Sequence, residues 1–184
     1  MDRRIWSVVA GSLMLGAAAV ALSGCTTPVA LGTELVPGGK PATGMSAAIG
    51  EQLPRAIDDF GLVLLKATAA SAEPNGNVIV SPLSVHAALS MTANGAVGDT
   101  LKEMRTVLRT DAMDPADANA QWAALLAGLA SRSPEQELDI ANALFANKSV
   151  VFKQPFLDAD RDYFGAQISE YDPAKDDVLG IVNG

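Results

Sequence analysis

The sequence predicts an α+β domain in which helices come first and only a few strands follow. Three observations lead there. Between Ala56 and Leu129 apolar residues recur at helical spacing in four separate segments. A short β-branched run, Val78-Ile79-Val80, interrupts them. Two further strand-like stretches, Leu138 to Phe145 and Ala166 to Tyr171, lie near the C-terminal end with one more helix between them.

The chain has 184 residues, enough for one domain with a real core. Its N-terminal end is of another character. Met1-Asp2-Arg3-Arg4 is a short basic start, Ile5 to Leu22 is apolar or small throughout, and Leu22-Ser23-Gly24-Cys25 follows. A basic region, an apolar region and a small-residue cleavage site describe a secretory signal over residues 1–24. An uncleaved membrane anchor is the alternative, but Gly11, Ser12, Gly16 and Ser23 dilute the run. The sequence LSGC resembles the lipobox of bacterial lipoproteins, which implies that the Cys25 thiol is acylated and becomes the new first residue. Cys25 is the one cysteine of the chain, so no disulfide forms. Thr26 after it, in place of an aspartate, would permit the outer membrane in a Gram-negative cell.

The formal charge is −8, and loss of Asp2, Arg3 and Arg4 makes the mature chain one unit more negative. Such an acidic surface disfavours nucleic acid and anionic lipid as partners, and the membrane is expected as a partner through the lipid anchor. From Thr26 to about Leu53 the chain is Thr, Pro, Gly, Ala and Met without periodicity, and residues 25–55 read as a lipidated cysteine on a flexible tether. Its mean reach is about 30 Å.

The domain proper occupies residues 56–184. Ala56 to Ala70 is a helix with Ile57, Phe60, Leu64 and neighbouring Leu62, Val63 and Leu65 around one broad face. Val78-Ile79-Val80 reads as a buried strand, cut off by Ser81-Pro82. Ser81 is placed to cap a second helix with Pro82 at its first position, where a missing N–H costs nothing. That helix runs from Leu83 to about Met91, with Asn94-Gly95 as a left-handed stop. Thr100-Leu101-Lys102-Glu103 has the capping-box pattern, opening a third helix with Leu101, Met104, Val107 and Leu108 on its stripe. Trp122, Leu125, Leu126 and Leu129 mark a fourth. Pro155 opens a fifth, stopped by Gly165.

The stretch NVIVSPLSVHAALSMTANGAVGDT, Asn77 to Thr100, resembles the part of a serpin that runs from a central strand through its following helix to a Gly-Ala-x-Gly turn. The order around it agrees: DFGLVLLK precedes it, TLKEMRTVL follows, and ELDIANALFANKSVVFKQPFLDADRDYFGAQISEYDP resembles the family's next helix-flanked strand pair. The resemblance implies an incomplete serpin-like fold, the N-terminal helices with a few strands of the sheets. It also implies a function. Serpins inhibit serine or cysteine proteases when a cleaved reactive loop inserts as an extra strand into the large sheet. Ser81, Pro82 and Ser84 match the family's shutter, under the strands that part. Small hydroxyls suit that place because they can exchange hydrogen-bond partners, although capping a helix also accounts for Ser81. The chain ends at Gly184 before the reactive loop, so it is expected to be inactive by itself and no scissile residue is named. The alternative is a non-inhibitory surface binding module, or a truncated gene product.

Enzyme chemistry finds little support. Ser81, Ser84 and His86 are close in sequence, yet no G-x-S-x-G elbow surrounds them. His86 is the single histidine, which excludes a His-rich zinc site. Asp158, Asp160 and Asp162 alternate as in a calcium loop, but the sixth position is Tyr163 and the twelfth Ser169, so they read as a solvated helix face. No phosphate-cradling glycine loop is present, and no cofactor is expected.

Overall fold

The computed structural model describes residues 50–73, 76–130, 140–177 and 180. The signal segment, Cys25 and most of the tether lie outside them. The elements are α1 (Gln52–Ala70), α2 (Pro82–Asn94), α3 (Gly98–Val107), α4 (Pro115–Ala130), β1 (Ala143–Asn147), α5 (Gln154–Phe164) and β2 (Gln167–Tyr171). The predicted order of helices and late strands holds. Among the described residues no helix is long and apolar enough to cross a membrane.

α1 begins ahead of Ala56 because Leu53 adds a turn to its buried side, and the Leu53 N–H donates to Gln121 Oε1 of α4 at 3.3 Å. Its buried stripe is Leu53, Ala56, Ile57, Phe60 and Gly61, a 3-1-3-1 spacing narrower than the broad face expected. Leu62 and Val63 stand 69% and 53% exposed. The stripe meets α2 where Gly61 faces Pro82: a Cβ on Gly61 would lie 2.8 Å from Pro82 Cβ and Cγ. The core gathers Leu53, Ile57, Ala87, Met91, Trp122, Leu126 and Phe164 from α1, α2, α4 and α5, with Met113 from the α3–α4 loop and Ala166 just before β2.

Four local expectations need correction. Val78-Ile79-Val80 is no strand, and Ile79 is 92% exposed: a strand needs a neighbour, and none of the described residues pairs with it. Gly95 is not left-handed (φ −94°); its small size matters instead, since a Cβ there would lie 3.1 Å from the Phe156 ring. The left-handed glycine is Gly98 (φ 61°), which starts α3 after Val97, so Thr100 lies inside the helix and its capping box does not form. The expected strand from Leu138 shortens to β1, because the parallel partner β2 reaches only from Ala143↔Gln167 to Asn147↔Tyr171. Leu138 itself lies outside the described residues.

The other ends follow the sequence. Ser81 is the N-cap of α2, its side chain accepting from the Ser84 N–H. Gly165 ends α5 in the left-handed region, at φ 61° and ψ 26°. α3 closes on Arg109 (φ 59°): Thr110 N–H bonds Arg105 O at 2.9 Å and Arg109 N–H bonds Thr106 O at 3.3 Å, a Schellman pair with arginine where glycine is usual. Asn142 Nδ2 donates to the terminal carbonyl of α5 at Phe164, 2.8 Å away, tying β1 to the helix that leads into β2.

Gly61→Ala should cost about 1–3 kcal/mol in urea denaturation, since α1 and Pro82 must separate to admit the methyl group. An unchanged midpoint would place the α1–α2 contact elsewhere.

Candidate functional site

At the start of α2, Ser81 is extended (φ −111°, ψ 93°) and its Oγ accepts from the Ser84 N–H at 3.4 Å. The two hydroxyls also bond each other at 2.8 Å, and either can be the donor. Both residues are exposed. Two hydroxyls that share one hydrogen bond with interchangeable roles can be re-paired at small cost.

His86 points away from them. It is fully buried, which reading the sequence missed, since an imidazole three residues into an apolar helix gives no sign of its partners. Its Nε2 lies 2.9 Å from Leu108 O and its Nδ1 3.2 Å from Ser90 Oγ. A carbonyl only accepts, so Nε2 carries the hydrogen and Nδ1 accepts from the Ser90 hydroxyl. Ser90 Oγ in turn accepts from Trp122 Nε1–H at 3.2 Å. Every polar atom of the network is thereby satisfied. The rings form a column: Phe60 to His86 at 5.3 Å edge-on, His86 to Trp122 at 5.5 Å, Trp122 to Phe164 at 5.6 Å. No serine hydroxyl near the α2 start reaches this imidazole, so Ser81, Ser84 and His86 do not assemble a nucleophile and base.

Asp160 is the second buried titratable group and corrects the reading of a solvated face. Asp158 and Asp162 do lie outward, where Arg161 pairs with them at 2.5 and 3.0 Å. Asp160 is fully buried; its Oδ1 accepts from Asn94 Nδ2 at 3.0 Å, and its Oδ2 has no partner. Asn94 Oδ1 accepts from Asn119 Nδ2 at 2.9 Å, so α5, α2 and α4 are linked in one polar line. Burial drives the Asp160 carboxyl up to about 7, against the smaller opposing pull of Asn94. Burial also drives His86 below its ordinary value, against the bond to Leu108.

A cleft of about 160 Å³ opens between α2, α3 and α4, bordered by Ser90, Asn94, Arg105, Asn119 and Trp122. The sequence carried no sign of it, because its walls come from three helices.

The fold can now be set beside known proteins. The family described as Serpin (serine protease inhibitor) matches residues 55–183. The chain belongs to the serpin family. Serpin A12 of Mus musculus is 32% identical over 117 residues, which are 64% of this chain and 28% of that protein. Leukocyte elastase inhibitor A of Rattus norvegicus is 30% identical over 135 residues, 72% of this chain and 35% of the inhibitor. Among solved structures, reaction-loop-cleaved lamprey angiotensinogen superposes with a TM-score of 0.63 at 25% identity, over 72% of this chain and 38% of that one. The chain therefore spans about a third of the length of these serpins, and its five helices and two strands are an incomplete serpin-like α+β fold.

The two buried groups respond to pH in opposite senses. Between 3.8 and about 7 the folded chain holds a proton on Asp160 that the unfolded chain has lost, so this contribution to stability falls as pH rises. Below 6.5 the unfolded chain binds a proton at His86 that the fold resists, so the second contribution falls as pH drops. Asp160→Asn should gain on the wild type as pH rises from 5 to 8, by at most about 1.4 kcal/mol per pH unit, leaving the His86 slope. Parallel stability curves for the two proteins would show that Asp160 is ionised in the fold.

Proposed function

We propose that this chain is the N-terminal part of a serpin that inhibits a serine protease, or a cysteine protease, by inserting its cleaved reactive loop into the large sheet. The observation that carries this reading is the family match over residues 55–183. Two relatives of this chain are named for inhibition of leukocyte elastase and thrombin, in rat and sheep. Ser81, Pro82 and Ser84 act as the shutter. Their support is local: the serine pair keeps an exchangeable hydrogen bond at 2.8 Å, and Pro82 locks the helix start against Gly61, so strands could part over them while α2 stays fixed. The 184 residues by themselves do not inhibit, since they correspond to about a third of a serpin and their described sheet has two strands.

Mixed with trypsin-, chymotrypsin- and elastase-like proteases, the 184-residue chain should form no complex that survives denaturing electrophoresis. A stoichiometric covalent complex would show that the trapping machinery is present. The gene should also be read past Gly184: a continuation that, expressed with residues 1–184, traps a protease supports the parent inhibitor. A longer product that binds other proteins and traps none favours a non-inhibitory binding module.

The same reading places the protein outside the cytoplasm, held to a bacterial envelope by lipid on Cys25. The support is the basic start, the apolar run and LSGC. Labelled palmitate should enter the wild type and be absent from Cys25→Ser, with the latter released from the membrane fraction; equal labelling of both would remove the anchor.

A further inference from the structure

We propose that the cleft between α2, α3 and α4 binds a small aromatic carboxylate, with Arg105 as the partner of its charge. The cleft is about 160 Å³. An apolar cavity of that order holds a benzene ring. Leu101, Leu108 and Trp122 supply apolar wall, while Asn94, Asn119 and Arg105 bring polar groups to the same space. One apolar wall with a few converging polar groups is the usual make-up of a small-molecule site.

Arg105 decides the sign of the ligand. It is half-buried, and its Nη2 donates to Thr110 O at 3.0 Å, to Asp111 O at 3.2 Å and to Met113 O. These are carbonyl dipoles. No carboxylate among the described residues pairs with it, although Arg55, Arg161 and Lys175 all have one. A guanidinium has five N–H donors in a rigid fork, and its Nε and Nη1 sides find no acceptor among the described residues. A cation held by its own loop, with donors left over at the edge of an apolar cleft, gains most from a planar anion that brings its own apolar body. Asn119 adds selectivity. Its Nδ2 is committed to Asn94, and its Oδ1 has no donor among the described residues, so a ring hydroxyl would be accepted there.

The cleft shares Ser90 and Trp122 with the His86 network. Occupancy would therefore brace three helices at the point where they meet, and the ligand should raise the stability of the fold.

The full chain carrying Trp6→Phe has Trp122 as its sole tryptophan. Benzoate added to it should change Trp122 emission in a saturable way and raise the melting temperature, whereas benzamide, of the same shape and neutral, should bind about tenfold more weakly or worse. Arg105→Gln should abolish that preference. Because Arg105 also holds the Thr110–Met113 loop, Ala118→Leu provides a second variant: it fills part of the cleft from α4, leaves the loop intact, and should lose both compounds while keeping the wild-type circular dichroism. Equal affinity for benzoate and benzamide, no saturable change with either, or undiminished benzoate binding by Ala118→Leu would each overturn the proposal.

Discussion

The imidazole of His86 is where the helices are joined. One nitrogen fastens α2 to the end of α3 through Leu108 O, the other reaches Trp122 of α4 through Ser90, and the ring faces lie between Phe60 of α1 and Trp122. A buried polar ring is tolerated only when all its atoms are paired, and this one is paired in a single arrangement. Protonation would turn Nδ1 from acceptor to donor and oblige Ser90 to turn its hydroxyl away while still accepting from Trp122. An aliphatic side chain could fill the same volume, but it would leave Leu108 O and the Ser90 hydroxyl hydrogen to find other partners. The imidazole thus fixes which turn of α2 meets which residue of α3 and α4, and the apolar contacts of Leu53, Met91 and Leu126 follow from that register.

A second constraint comes from what the described fold leaves uncovered. α1 turns Leu62, Val63 and Leu65 outward, and among the described residues Ile79 pairs with no strand and no third strand pairs with β1 or β2. Parallel strands are normally covered on both faces and rarely occur as a pair. The matched stretches are 28% and 35% of the serpins Serpin A12 and leukocyte elastase inhibitor A, and apolar side chains left in water are where further burial stabilises a fold most. The same exposure explains why the strand read at Val78–Val80 has the residues of a strand and the surroundings of a loop. Its β-branched side chains specify a ladder position, and a ladder is a property of two segments.

How much could be read from the sequence divides along this line. Features determined within a few residues were legible: the Ser81 cap with Pro82 behind it, the left-handed Gly165, the alternation that becomes β2, and the family itself, which Asn77 to Thr100 carries in one uninterrupted stretch. Features determined across the fold were not. The glycine after Asn94 looked like a conformational stop, but Phe156, some sixty residues later, makes its size the requirement. Asp160 sat in an alternating acidic run that spacing assigns to solvent, and only the approach of Asn94 from α2 reveals that it lies inward while Asp158 and Asp162 pair with Arg161. His86 and the cleft beside it are of the same kind, since each is made by the meeting of three or four elements.

Asp160 and His86 also show why the packed half of the molecule and its open half need not have the same tolerance for change. Both buried groups sit where α2 contacts the later elements, one in the polar line from Asn119 through Asn94, the other in the ring column. Burial opposes the charged form of each, raising the Asp160 carboxyl and lowering the His86 imidazole. The serines at the other end of α2 are exposed, and either hydroxyl can be the donor in the bond between them. One helix therefore carries a rigid, fully paired end inside and an adaptable hydroxyl pair at its start. Ser84 stands only two residues before His86, yet its hydroxyl bonds Ser81 and not the imidazole, so re-pairing of the two hydroxyls breaks no bond of the buried network.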